Sequence, residues 1–218
     1  MNSQTEENYL KTLYHLENQD EEVTITKLSR ELKVSMPSVN SMVKRLHIKK
    51  LLTYRKYKPL ELTNAGRKMA LLIIRKHRLV EIFLVEKMGF GWEEVHEIAE
   101  QMEHIRSPKF FERIEEILGH PKVDPHGSPI PDKEGNIQFN DYKMLSECAP
   151  NDTVIIRALA NSSKSFLDYL NKKGLKLGVK LTIKEIEAFD KSVLAVLEGD
   201  REETLTAQAS VGLLVEKA

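Results

Sequence analysis

Residues 119–136, GHPKVDPHGSPIPDKEGN, set Pro121, Pro125, Pro129 and Pro131 among Gly119, Gly127 and Gly135. Each proline removes a backbone donor and fixes φ, and each glycine loosens its surroundings, so neither a helix nor a strand can run through this segment. It is a linker or a fixed irregular loop, and the chain must build its regular structure on either side of it. The N-terminal side reads as helical and the C-terminal side as β-rich.

In the N-terminal part, Tyr9, Leu10, Leu13 and Leu16 recur at helical spacing over residues 5–17. Thr24 can cap a second helix reaching Leu32, and Ser35 a third, with Pro37 in the first turn where a missing N–H is tolerated. Val39, Met42, Val43 and Leu46 share one face of that third helix. Two short extended runs, Leu51 to Tyr54 and Leu60 to Leu62, flank Arg55-Lys56-Tyr57-Lys58-Pro59 and read as a hairpin. Helix, helix-turn-helix and basic hairpin together outline a winged helix. A long helical pattern then runs from Asn64 to Lys87, where Gly89 and Gly91 stop it. Trp92–Ile105 and Pro108–Leu118 read as further helices. Beyond the Pro-rich segment, TVIIRAL, VKLTIKEI and SVLAVLEG are β-branched or alternating runs, with a short helix over Ser165–Lys172 and a turn at Gly174–Gly178. The expected class is mainly α with a small β barrel at the C-terminal end.

The net charge is zero, 33 Lys and Arg against 33 Asp and Glu, but its distribution is uneven. Lys27 to Arg78 holds fifteen Lys and Arg against Glu31 and Glu61, a net +13; Glu81 to Glu116 holds ten Glu against four basic residues, a net −6. A basic block suits phosphate neutralisation and an acidic one suits cation binding. A helix-turn-helix places the start of its second helix in the major groove, so the first residues there must be small and polar enough to approach base edges. Ser35, Pro37, Ser38 and Ser41 meet that requirement, while Lys44, Arg45, Arg55, Lys56 and Lys58 are placed for phosphates.

In VHEIAEQMEHI, His96, Glu100, Glu103 and His104 stand at i, i+4, i+7 and i+8, which at about 100° per residue is an arc of roughly 100°. His77 and Glu81 are again i, i+4. Imidazole nitrogen with carboxylate oxygen and no sulfur suits Mn²⁺ or Fe²⁺ better than a thiolate-seeking ion. An ordinary solvated acidic face accounts for the spacing equally well. Enzyme chemistry finds less support: HEIAE has Glu100 where a zinc protease needs its second His, and G-x-S-x-G, Walker A and G-x-G-x-x-G are all missing. The single cysteine, Cys148, cannot form an internal disulfide, no apolar run reaches the roughly 18 residues of a membrane span, and the opening MNSQTEENYL has no leader pattern. A cytoplasmic protein without membrane partners is expected.

Taken together, NYLKTLYHL, SMPSVNSMVKRL, LTNAGRKMA, RKHRLVEIFL and VHEIAEQMEHI resemble the iron- and manganese-dependent repressors of the diphtheria toxin repressor (DtxR/MntR) family. The resemblance implies a winged helix-turn-helix over residues 1–64, a helical dimerisation and metal-binding domain over 65–120, a Pro-rich linker over 121–139 and an SH3-like (FeoA-like) β barrel over 140–218. It implies a homodimer on a palindromic double-stranded DNA operator, with Mn²⁺, or alternatively Fe²⁺, as corepressor for metal-uptake genes. Carried over by motif, Asn8, Glu100, Glu103 and His104 would form a primary metal site, His77, Glu81 and His96 an ancillary one, and Asp124 and His126 a contribution from the Pro-rich loop. Glu100 stands where iron-type members have a sulfur ligand, which tilts the expectation toward Mn²⁺. Lys11 stands where short manganese regulators carry a second Glu, so their closely spaced two-metal cluster is not expected. The competing readings are a winged-helix regulator of an organic ligand, separable by chelator insensitivity, and a metal-binding protein or enzyme without a DNA function.

Overall fold

The computed structural model describes residues 3–19 and 22–218, which divide into two compact units. The first comprises residues 1–80, 99–115 and 130–138; the second comprises 81–98, 116–129 and 139–218.

The first unit opens with α1 (Gln4–Glu17), α2 (Ile25–Leu32) and α3 (Met36–Ile48), each begun by a side chain that satisfies a backbone donor left open at a helix start. Ser3 accepts from the Glu6 N–H while Glu6 accepts from that of Ser3, Thr24 accepts from Lys27, and Ser35 accepts from Ser38. Lys33, in the left-handed region at φ 54°, ends α2 and makes the tight turn into α3. Leu10, Leu13, Leu28, Val39, Val43 and Leu46 meet in one fully buried cluster. Each such leucine contributes about 1.5–3 kcal/mol by leaving water. The strands β1 (Leu52–Thr53) and β2 (Glu61–Leu62) pair antiparallel, Leu52 opposite Leu62, and join this core together with Leu60. The Glu17 carboxylate accepts from the Leu62 N–H at 2.5 Å and from Arg67 at 2.8 Å, which fixes the wing to α1 and to the start of α4 (Asn64–Met88). A Cβ at Gly66 would lie 1.9 Å from the Leu51 carbonyl oxygen, so only glycine lets α4 approach the wing this closely.

The helix expected over Trp92–Ile105 is shorter in the structure. α5 spans Val95–Met102, and Glu103 and His104 stand on the turn just past it. Next come α6 (Pro108–Ile117) and the Pro/Gly segment, which is an ordered loop built on one device used twice. Asp124 Oδ1 accepts from the His126 and Ser128 N–H groups, and Asp132 Oδ1 accepts from those of Glu134 and Asn136. Each turn is completed by a glycine in the left-handed region, Gly127 at φ +84° and Gly135 at φ +78°.

In the second unit, β3 (Lys143–Met144), β4 (Thr153–Leu159), β5 (Lys180–Ile186), β6 (Val193–Leu197), β7 (Arg201–Leu205) and β8 (Leu213–Lys217) form one antiparallel sheet in the order β3-β8-β4-β5-β6-β7. Its ends do not pair with one another among the described residues, so the SH3-like module is an open sheet and not a fully closed barrel. Helices α7 (Lys164–Lys172) and α8 (Ala207–Gly212) bring Leu167, Leu170 and Ala209 onto Ile156, Ile183, Ala195 and Leu213 in its core.

Candidate metal centres and DNA-reading surface

Along α3, Val39, Val43 and Leu46 face the core, which turns Ser35, Pro37, Ser38, Ser41 and Lys44 outward. Pro37, Ser38, Ser41, Met42 and Arg45 line an open depression on this face. Arg45, expected to hold a phosphate, also has a second attachment: its Nε lies 2.8 Å from the buried Glu6 carboxylate, which Lys49 also reaches at 2.7 Å. Burial pushes the Glu6 carboxyl up, but its bonds from Lys49 and Ser3 and the charges of Lys49 and Arg45 outweigh this and hold it below the ordinary value. Glu6 therefore sets the angle at which α3 leaves α1, a role that the intervening sequence hides. On the wing, Arg55, Lys56 and Lys58 stand clear of the core, and Lys56 sits 4.9 Å above the ring of Tyr57, itself 90% exposed.

Of the expected primary ligands, Glu100 and Glu103 share the Lys11 ammonium and His104 Nε2 lies 3.5 Å from Glu103 Oε1, all in the first unit. His104 Nδ1 lies 2.6 Å from Glu7 Oε2, so Nδ1–H donates to that carboxylate. His104 Nε2 is buried 3.5 Å from Glu103 Oε1 without a hydrogen bond, and Asn8 Oδ1 is buried without a hydrogen-bond partner. The carboxylates are differently disposed. The Lys11 ammonium bonds Glu100 Oε1 at 2.5 Å and both oxygens of fully buried Glu103 at 2.8 and 2.9 Å. His77, expected in the ancillary set, bonds Glu103 Oε2 through Nδ1 at 2.7 Å. Burial raises the Glu103 pKa, yet the His77 bond and the Lys11 charge more than offset it, and the carboxyl titrates below its usual range.

In the second unit, Glu81, Asp124 and His126 are all buried, and each offers one ligating atom within 4.8 Å of the others. His126 Nε2 lies 3.0 Å from the Trp92 carbonyl and its ring stacks on the Trp92 indole at 5.9 Å. With Nε2–H donated there, Nδ1 keeps its lone pair and faces Glu81 Oε2 at 3.9 Å and Asp124 Oδ1 at 4.0 Å. Exposed His96 reaches Glu81 Oε1 at 3.4 Å. Two carboxylates and an imidazole fixed in tautomer by an outer partner fit a hard or borderline divalent ion. Of the expected ancillary set, His77 bonds Glu103, while Glu81 meets His96 and the two loop residues. Glu7 and Trp92, the outer partners of the two imidazoles, are absent from the sequence-based expectations because their spacing from the histidines carries no local signal.

An exposed, small and polar helix start, a basic wing and buried oxygen–imidazole clusters define a DNA-binding regulator of the metal-dependent class. Known proteins agree: residues 1–60 match the iron dependent repressor N-terminal DNA binding domain, residues 63–132 match the iron dependent repressor metal binding and dimerisation domain, and residues 143–217 match the FeoA domain. The iron-dependent repressor IdeR of Mycobacterium leprae is 30% identical over 98% of this chain and 97% of its own. The chain belongs to the iron-dependent repressor family, whose members are transcriptional repressors and not enzymes. Among solved structures, a manganese-dependent transcriptional repressor in complex with manganese superposes with TM-score 0.86 at 28% identity, covering 98% of this chain and all of that one. ScaR with bound Zn²⁺ gives 0.78 at 33%, covering 98% and 99%, and IdeR of T. acidophilum gives 0.76 at 28%, covering both chains completely. Among the described residues, no helix is long and apolar enough to cross a membrane.

Proposed function

We propose that this protein is a cytoplasmic, homodimeric repressor of metal-uptake genes that binds a palindromic operator when Mn²⁺, or less favourably Fe²⁺, is held by Glu81, Asp124 and His126, with His96 alongside. The observation that carries this reading is that buried three-donor cluster in a chain with a winged-helix reading head. A donor set without sulfur suits Mn²⁺ or Fe²⁺ better than a thiolate-seeking ion, and its two carboxylates suit the harder Mn²⁺. When bound, a divalent ion would supply the positive charge that two buried carboxylates call for. The protein's own part is preparatory. The Asp124 turn fixes the loop, the Trp92 carbonyl holds the His126 tautomer, and α4 presents Glu81. If the metal-loaded dimer sets its two α3 helices a whole number of DNA turns apart, metal and operator favour one conformer and each raises the other's affinity by the same factor. Ser35, Pro37, Ser38 and Ser41 would then read bases, while Lys44, Arg45, Arg55, Lys56 and Lys58 hold phosphates.

Fluorescence anisotropy on a candidate metal-uptake promoter, with Mn²⁺, Fe²⁺, Zn²⁺ and chelator in parallel, tests the reading. Manganese should tighten specific binding, chelator should reverse it, and Asp124→Asn should remove the response while leaving salt-dependent nonspecific binding in place. Specific binding indifferent to chelator would refute it.

A further inference from the structure

The pocket of Glu100 and Glu103, with His104 Nε2 3.5 Å from Glu103 Oε1, already contains a cation that belongs to the chain. We propose that the Lys11 ammonium is a tethered substitute for a metal ion there, so that this pocket takes no divalent ion and the bond between α1 and the end of α5 is made whatever the metal supply. An ammonium has three N–H donors and no acceptor. Lys11 places all three against carboxylate oxygens, one on Glu100 and two on Glu103, at 2.5 to 2.9 Å, with its side chain only 10% exposed. A metal ion using the same oxygens would lie within a few ångströms of a positive charge that cannot diffuse away, since it is anchored about one helical turn from Asn8. To bind, the ion must expel an amine whose local concentration is set by its tether and not by the cell. An ammonium with three bonds has no donor left to give, and His104 Nε2, 3.5 Å from Glu103 Oε1, makes no hydrogen bond.

Metal dependence then falls on the Glu81, Asp124 and His126 cluster. The proposal shares with the functional reading only the assumption that metal is the signal, and the occupancy of the two pockets is separately measurable. Manganese binding to the full-length protein, counted by electron paramagnetic resonance of free Mn²⁺ during titration, should give one ion per chain. Lys11→Met, which releases the donors of this pocket, should raise this to two, while Glu100→Gln in the otherwise native chain should leave it at one. Two ions in the native protein, falling to one in Glu100→Gln, would overturn the proposal, as would a folded Lys11→Met variant that gains none. If Lys11→Met does not fold, the native and Glu100→Gln counts decide by themselves. A native count of zero with one in Lys11→Met would uphold the tethered cation and refute the Glu81 centre instead.

Discussion

Gly127→Ala is the most direct probe of how the loop presents its histidine. Gly127 has φ +84°, and a Cβ there would lie 2.3 Å from the Arg157 carbonyl oxygen and 2.6 Å from the Ala158 Cα. Both neighbours are backbone of β4, beside the bulge between Ile156 and Ala158, so neither can swing aside. The loop must therefore lift by about 1 Å, which strains the bond from the Leu159 N–H to the His126 carbonyl, now 2.9 Å. The left-handed backbone costs an alanine about 1–2 kcal/mol. Losing the seating bond adds about 1 kcal/mol or somewhat more. Gly119→Ala supplies the control, since Gly119 shares a positive φ of +70° but a Cβ there meets nothing within 4 Å. Urea unfolding should place Gly127→Ala at least about 1 kcal/mol below Gly119→Ala, well beyond the roughly 0.5 kcal/mol scatter of independent substitutions. Calorimetric titration should show Mn²⁺ affinity down about tenfold, the equivalent of about 1.4 kcal/mol, in Gly127→Ala alone. Equal stabilities and unchanged metal affinity in the two variants would refute the claim that this close approach positions His126.

Replacing Lys56 and Lys58 together by Ala should flatten the plot of log affinity against log salt by about 0.9 for each phosphate no longer neutralised, with little change in operator preference; anisotropy over a salt series measures it. Glu6 gives a pH signature. Its folded pKa is depressed, so the stability from its Arg45 and Lys49 pairs is complete above the unfolded carboxylate value near 4.5 and fades as pH falls through the lower folded value. Denaturation midpoints measured from pH 7 to pH 3 should therefore fall less steeply in Glu6→Gln than in the native protein.

The winged helix is legible in the sequence because its signals are local: Ser35 and Thr24 are caps, and the alternation of Val39, Val43 and Leu46 with serines and lysines declares both faces of α3. Further along, local signals thin. His96 to His104 keep helical spacing past the last helical residue, Met102, so spacing alone overstates the length of α5. Strand β7, REETL, is four-fifths polar and owes its conformation to pairing with β6, while α8 is only six residues, so neither has a pattern of its own. For the metal centres, spacing identifies the donors but not their grouping. An i, i+4 relation puts His77 and Glu81 on one face of α4 yet is silent about the segments that meet each, which are Glu103 in one case and the 124–126 turn in the other. Lys11 is visible in the sequence as a departure at a ligand position; that its ammonium reaches two carboxylates, 89 and 92 residues away, is not.

The paired turns DPHGS and DKEGN show which residues the loop requires and which it leaves open. In both, the aspartate and the glycine do the folding, and the two residues between them differ completely, Pro125-His126 in one and Lys133-Glu134 in the other. The turn itself is indifferent to its middle residues, so what occupies them is decided by what they meet: an imidazole buried against Trp92 at 126, an exposed carboxylate at 134. The side chain displayed at the middle of the turn is thus separable from the turn's folding, whereas Asp124 serves both the turn and the ion site.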